Sequence, residues 1–216
     1  MNDSELRANL GRLHTALLCD VMDGLGYRTS ALAKRIRPTE ANQRLAGPAF
    51  TMRCEAVDSV PAQPYQQLLA AFKEIEAGDV IVLQCGDQVS AMWGELLSTA
   101  AMAKGAVGAV LDGATRDVGQ ILEMGFPVFS AGFSPLDSAG RQEVIDYGVE
   151  VECGHARVRP GDWIVGDLMG VIVIPLDLVE QVVTLALEKD ARESTVRDEL
   201  LRGDDIGEVF ARHGIL

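Results

Sequence analysis

The chain has 216 residues, 48% of them hydrophobic and 24% charged, an ordinary globular composition long enough to bury a substantial core in a single domain spanning 1–216. Its formal charge of −13 and pI near 4.6 repel polyphosphates, and with no basic run to offset that field, nucleic acid is not expected as a partner. No stretch has the apolar length to span a bilayer, the start Met1-Asn2-Asp3-Ser4-Glu5 does not read as a signal peptide, and Cys19, Cys54, Cys85 and Cys153 lie far apart, so a cytoplasmic protein with reduced thiols and no membrane contact is expected.

Leu6, Leu10, Leu13, Leu17 and Val21 lie three or four residues apart on one face of an amphipathic N-terminal helix, expected over 1–26 and ending at Gly24 and Gly26. Asp20 and Asp23 share a face near its end, either as solvated groups or as acids reaching an active site of a neighbouring subunit. Gly24-Leu25-Gly26 imitates the start of a dinucleotide fingerprint, but it follows a helix instead of a strand and Thr29 stands where a third glycine belongs.

Residues 27–45 read as an irregular connection and 49–57 as a strand opening the sheet, followed by a helix over 65–76. Gly78-Asp79 and Gly161-Asp162 each feed a short apolar strand, 80–83 and 163–165, and each strand is followed by another Gly-Asp, at Gly86-Asp87 and Gly166-Asp167. This is repeated turn chemistry and not an internal duplication. Further strands are expected at 107–111, 127–130, 149–158 and 171–174. Together they predict an α/β core over about 45–175 with a mixed sheet. Beyond Pro175 lies a C-terminal helical segment, 176–216. Asp177 and Glu180 have the spacing of a capping box opening a long helix, with Val179, Val182, Val183 and Ala186 facing inward. Glu188 and Arg192, Glu193 and Arg197, and Asp198 and Arg202 are spaced as i,i+4 ion pairs, and 206–216 is expected as a short helix docking on a neighbouring subunit.

The chemistry is concentrated between residues 94 and 117. Glycine is costly inside a helix, so Gly94 belongs at a helix N-terminus, leaving the amides of Glu95, Leu96 and Leu97 free for a carboxylate or phosphate, or for water or a cap. Asp112-Gly113 ends a buried strand and re-aims the chain, so that Arg116 and Asp117 begin the next helix, 118–124. Asp117 can hold a divalent cation and Arg116 an anionic or carbonyl oxygen. The same two residues also suit a helix-dipole and ion-pair role.

The runs Gly94-Glu95-Leu96-Leu97, Gly105-Ala106-Val107-Gly108 and Asp112-Gly113-Ala114-Thr115-Arg116-Asp117 resemble the family that contains the regulator of ribonuclease E activity A and the 4-hydroxy-4-methyl-2-oxoglutarate aldolases. Gly125-Phe126-Pro127-Val128-Phe129, Arg159-Pro160-Gly161-Asp162 and Gly170-Val171-Ile172-Val173-Ile174-Pro175 extend the likeness from about Leu13 to the C-terminus. The resemblance implies a swivelling α/β sandwich domain, assembled as a homotrimer or a dimer of trimers with active sites between subunits. It also implies that Asp117 holds Mg²⁺ or Mn²⁺, that Arg116 contacts a keto oxygen, and that the amides of Glu95 to Leu97 receive a pyruvyl carboxylate. The activity implied is release of pyruvate from a 2-oxo acid through a metal-stabilised enolate, as a 4-hydroxy-4-methyl-2-oxoglutarate aldolase or oxaloacetate decarboxylase. A retro-aldol step needs a base, for which a metal-bound water or hydroxide is a candidate, with Asp112 or an acid of a neighbouring subunit to assist. The chain departs from the aldolase pattern at Gln120 and Met169, where acids are expected, and at Glu95, which stands in the glycine register one position past Gly94. The alternative within the family is a non-catalytic regulator binding a ribonuclease or another protein.

Overall fold

In this computed structural model, which describes residues 1–215, the N-terminal periodicity is divided between two helices, α1 (Asp3–Arg12) and α2 (Thr15–Gly24). The single helix expected over 1–26 is thus interrupted at Leu13 and His14, both extended. Two contacts account for the break: Arg44 donates to the Leu13 carbonyl, and the buried Asp167 carboxylate accepts from the Thr15 amide at 2.9 Å and the Thr15 hydroxyl at 2.7 Å. The apolar residues on either side still share one core cluster.

The remaining elements follow in chain order as β1 (Arg37–Pro38), β2 (Leu45–Ala56), α3 (Gln66–Glu74), β3 (Val80–Gln84), β4 (Ala91–Trp93), α4 (Glu95–Ala103), β5 (Gly108–Leu111), β6 (Ala114–Thr115), α5 (Val118–Met124), β7 (Val128–Ser130), β8 (Gly132–Phe133), β9 (Gln142–Tyr147), β10 (Val151–Cys153), β11 (Ala156–Val158), β12 (Trp163–Asp167), β13 (Gly170–Ile174), α6 (Val179–Leu201) and α7 (Ile206–His213). The main sheet runs β1-β7-β5-β3-β2-β12-β13, with β9 also on β2. It is mixed, parallel through β2, β3, β5 and β7 and antiparallel where β9 and β12 join β2. β3 and β5 read as unbroken apolar runs because both of their faces are covered.

Three apolar clusters fill the molecule. One lies between the parallel strands and helices α3 to α5, built on Met52, Ile81, Leu83, Trp93, Leu111 and Phe126. A second joins α1, α2 and α6 to β12 and β13. The third packs Val80, Val82, Val110 and Phe129 against the β10–β11 hairpin. The one strand expected over 149–158 is this hairpin, because Gly154 (φ 55) and His155 (φ 71) both take left-handed backbone angles and reverse the chain. At Gly47 a side chain would place its Cβ 2.3 Å from the Gly78 carbonyl oxygen, so only glycine lets β2 pass the Gly78-Asp79 turn.

Near the C-terminus two expectations are corrected. The capping box at Asp177 does not form: the cap position is Leu178, without a side-chain bond, and Glu180 instead binds the Met1 ammonium at 2.6 Å. The three i,i+4 pairs are absent among the described residues. Lys189 bonds Asp20 at 2.7 Å and lies 3.7 Å from Glu193, tying α6 to α2. Helix α7 packs on α6 of its own chain, with Val209 fully buried and Glu199 accepting from Arg212 at 2.8 Å and contacting His213 at 3.0 Å. Among the described residues no helix is long and apolar enough to cross a membrane.

Cys54 and Cys153 are buried free thiols, and burial pushes the Cys54 thiol up to about 12, which keeps it inert.

Asp167 also accepts the Met169 amide at 2.8 Å, so removing its carboxylate strands three donors at the junction of α2 and the β12–β13 hairpin. Asp167→Ala is expected to lower stability by about 3 kcal/mol in urea denaturation, and a loss under about 0.5 kcal/mol would show that this carboxylate does not hold the start of α2.

Candidate active site

A small parallel sheet, β4-β6-β8, sits beside the main one and sets the site. Its register pairs Ala91 with Ala114 and Trp93 with Thr115, and the Arg116 amide donates to the Trp93 carbonyl at 2.9 Å. The residues that follow the two strands, Gly94 and the Arg116-Asp117 pair, are thereby brought side by side. A Cβ at Gly94 would lie 2.7 Å from Asp117 Oδ2 and 3.1 Å from Arg116 Cγ. Gly94 is extended (φ −162), so glycine is needed here for close approach and not for a special backbone angle. The same small sheet brings in a third charged group, because Ala91 bridges to Asp137 and its amide donates to Leu136 at 2.8 Å.

Buried contacts fix this corner. The Trp93 indole stacks between Phe72 and Phe126, with centroids 6.2 and 6.4 Å away, and donates to Ser98 Oγ at 2.7 Å. The Ser98 hydroxyl in turn donates to the Gly94 carbonyl at 3.0 Å. The loop before β4 is held by Asp87, which accepts from the amides of Val89 (2.7 Å) and Ser90 (2.6 Å) and from the Ser90 hydroxyl (2.7 Å). Burial works to raise the Asp87 carboxyl, but the Ser90 and Val89 hydrogen bonds outweigh it and hold the group below its ordinary value.

The resulting cleft has a volume of about 290 Å³. Tyr65, Leu68 and Leu69 line it from the α3 side, Met92 and Trp93 from β4, Leu96 and Leu97 from α4, with Arg116, Asp117, Asp137 and Ser138 completing it. Arg116 stands between two carboxylates, its Nε 3.5 Å from Asp117 Oδ2 and its Nη1 3.5 Å from Asp137 Oδ1. All three side chains are partly open to solvent, so these pairs orient the groups and contribute little stability. Helix α4 has no side-chain cap. The Glu95 amide reaches Asp117 Oδ2 at 3.3 Å, while the amides of Leu96 and Leu97, in the first turn, have no intrahelical acceptor. Asp117 (φ 55) and Tyr65 (φ 63) hold left-handed angles uncommon for residues with a side chain, and both border the cleft.

Asp117 Oδ1 accepts no hydrogen bond from the described residues, and no group of three His, Cys, Asp or Glu side chains is assembled among them. A single open carboxylate at a solvent-accessible mouth suits a hard cation that keeps most of its water, such as Mg²⁺ or Mn²⁺, and not a softer metal needing several nitrogen or sulfur ligands.

Of the residues singled out in the sequence, Gly94, Leu96, Leu97, Arg116 and Asp117 converge on the cleft. Glu95 contributes its amide, while its carboxylate accepts from Thr99 at 2.8 Å. Asp112 does not reach the site. Arg35 binds its Oδ1 at 3.1 and 2.6 Å and the Gly154 amide binds its Oδ2 at 3.0 Å, so both oxygens are committed to holding the hairpin turn. Asp20 and Asp23 are exposed on α2 and do not line the cleft of their own chain. Gln120 is exposed in the first turn of α5, and Met169 is 66% exposed and outside the cleft. Asp137, Tyr65 and Ser138 also line the cleft, and no motif in the sequence marks them. Asp137 sits in a loop without periodicity, and only the bridge to Ala91 gives it a place.

The RraA-like family model, described as Aldolase/RraA, matches residues 15–173. A Halalkalibacterium halodurans protein named "Putative 4-hydroxy-4-methyl-2-oxoglutarate aldolase" is 33% identical over 192 residues, covering 87% of this chain and 86% of its own length. Streptomyces coelicolor RraAS2, described as an unusual member of the RNase ES inhibitor RraA protein family, superposes with a TM-score of 0.81 at 29% identity, covering 91% of this chain and 97% of its own. A solved structure described as one of novel cellulases from gut-associated microbes superposes with a TM-score of 0.87 at 28% identity, covering 90% and 88%.

Because the native-state carboxyl of Asp87 is held below its ordinary value of 3.8, the stability it contributes is fully present above that pH and is lost as pH falls through the lowered value. Asp87→Asn is expected to flatten the acid side of the thermal-unfolding profile below about pH 4. An unchanged acid profile would assign the acid sensitivity to other carboxylates.

Proposed function

Since the chain belongs to the RraA-like (Aldolase/RraA) family, we propose that its cleft is the site of a carbon-carbon lyase releasing pyruvate from a 2-oxo acid. The observation that carries this reading is the convergence of a guanidinium, an open carboxylate and an uncapped helix N-terminus on one cleft. The name of the Halalkalibacterium halodurans relative supports it.

The chain's own groups divide the work. The free amides at the start of α4 receive the substrate carboxylate, as helix N-termini receive anions. Arg116 donates to the keto oxygen and stabilises the negative charge that develops there as the bond between C3 and C4 breaks. Asp137 braces the guanidinium from the far side, 3.5 Å away, and is our choice of proton acceptor for the distal hydroxyl now that Asp112 is committed to Arg35. Decarboxylation of oxaloacetate passes through the same enolate and needs no such base. Leu68, Met92 and Leu97 limit water around the developing charge, which strengthens each polar contact. Asp117 would hold Mg²⁺ or Mn²⁺, which supplies Lewis-acid polarisation of the 2-oxo acid. A homotrimer or dimer of trimers belongs to the same proposal, supported by the exposed apolar residues Leu69, Leu96 and Phe133 near the cleft mouth.

The test is pyruvate formation from oxaloacetate and from 4-hydroxy-4-methyl-2-oxoglutarate, with Mg²⁺ or Mn²⁺ and with a chelator. Chelation and Asp117→Ala are expected to abolish turnover, and Arg116→Ala to lower kcat about 100-fold. Gly94→Ala, which pushes on Asp117 and Arg116 together, is expected to lower kcat at least about tenfold while the protein stays folded. Full metal-dependent turnover in Asp117→Ala would sink the assignment. Absence of turnover above the metal-only background, with retention on an immobilised ribonuclease, would favour the regulator reading that the Streptomyces coelicolor relative suggests.

A further inference from the structure

Pyruvate is complete only when a proton reaches the carbon at which the bond broke. As C3–C4 breaks, its electron pair becomes the C2–C3 double bond of the enolate, and pyruvate forms when that pair takes a proton at C3 and the keto group is restored. In a retro-aldol cleavage the distal hydroxyl releases a proton inside the site. Decarboxylation of oxaloacetate releases none, so a step common to both reactions needs a donor that brings its own proton.

Tyr65 stands where such a donor is needed. It is the cap residue before α3, held in a left-handed conformation (φ 63) without a side-chain cap bond, at a position where glycine would avoid the cost. The Leu69 amide donates to its carbonyl at 2.8 Å, and Leu68, three residues on and on the same helical face, is buried in the core beneath α3. Tyr65 and Leu68 both line the cleft that holds Arg116. At about 290 Å³ that cleft has room for one small molecule, so the α3 wall and Arg116 touch the same ligand. Among the described residues three with a side chain take a positive φ, and two of them, Asp117 and Tyr65, border this cleft.

Resting on the lyase reading above, we infer that Tyr65 is the general acid of the reaction and delivers its hydroxyl proton to C3 of the enolate. The C3–H bond forms as the Oη–H bond breaks, the electron pair of that bond stays on the phenolate oxygen, and solvent water returns a proton to it. In the retro-aldol direction the proton taken up by Asp137 passes to the same solvent, so the two transfers balance. In decarboxylation the proton gained at C3 comes from water by way of Tyr65.

Run backwards, the same proton transfer enolises pyruvate, which separates it from carbon-carbon cleavage. In deuterium oxide with Mg²⁺, the full chain is expected to exchange the methyl protons of pyruvate, followed by proton nuclear magnetic resonance. Tyr65→Phe keeps the ring, removes only the hydroxyl, and is expected to slow that exchange about 100-fold. Consumption of oxaloacetate by the same variant is expected to fall by less than about tenfold, because the enolate leaves and takes its proton from water, with free enolpyruvate seen as a transient ultraviolet absorbance. A tyrosine that only packed the start of α3 would leave the ratio of the two rates unchanged. Exchange at the unaltered rate in Tyr65→Phe, equal loss of both activities, or no exchange by the unaltered protein overturns the inference. If exchange depends on Tyr65 but no 2-oxo acid is cleaved, the lyase reading fails alone. If cleavage proceeds and Tyr65→Phe leaves exchange intact, the assignment of Tyr65 fails alone.

Discussion

The site depends on the parallel pairing of two very short strands, β4 and β6. Alone, a pair of such strands is marginal, because few hydrogen bonds offset the entropy of ordering them. Here the pairing is held from both sides. Trp93 is clamped between Phe72 and Phe126 with its indole bonded to Ser98, while the Thr115 hydroxyl donates to the Trp93 carbonyl at 3.2 Å. With the strands in register, Gly94 and Asp117 come so close that a Cβ at position 94 would push the Asp117 carboxylate aside. The start of α4 and the start of α5 then face one cleft, and neither helix is closed by a side chain of its own.

Part of the chain's acidic content is architectural. The aspartates of the four Gly-Asp turns all accept main-chain amides: Asp79 from Glu76, Asp87 from Val89 and Ser90, Asp162 from Arg159 and Leu176, and Asp167 from Thr15 and Met169. Asp112 does the same for Gly154. A carboxylate accepting amides satisfies backbone groups that would otherwise be stranded where the chain turns between layers. Asp117 and Asp137 differ in being turned toward a cleft and toward one shared guanidinium. Asp112, with both oxygens committed to Arg35 and Gly154, is thereby set apart from the two cleft carboxylates.

The cleft joins a charged end to an apolar wall. The charged end rests on left-handed backbone at Asp117, an angle that costs free energy and persists because the small sheet on one side and α5 on the other determine it. The apolar wall is shared by α3, β4 and α4, and on α3 Leu68 is buried against the main core while Leu69, one position on, remains open.

The sequence by itself determined the mixed α/β class, the buried strands, and the pairing of Arg116 with Asp117 next to a glycine-led helix. Those are local facts, written in apolar periodicity, in turn residues, and in the adjacency of a cation and a carboxylate at a strand end. It overstated the N-terminal helix, because the break at Leu13 and His14 is imposed by Arg44 and Asp167, both distant in the chain. It read one strand where Gly154 and His155 make a hairpin, because buried positions alternate on both sides of the turn, Val151 and Cys153 before it and Ala156 and Val158 after it. It placed a capping box at Asp177 whose acid, Glu180, is drawn to the N-terminal ammonium. Only the tertiary structure decided the role of Gly94, the commitment of Asp112 to Arg35, and the entry of Asp137 and Tyr65 into the cleft. Each of these depends on non-local contacts, and a contact between residues far apart in the chain leaves no periodicity in the sequence of either one.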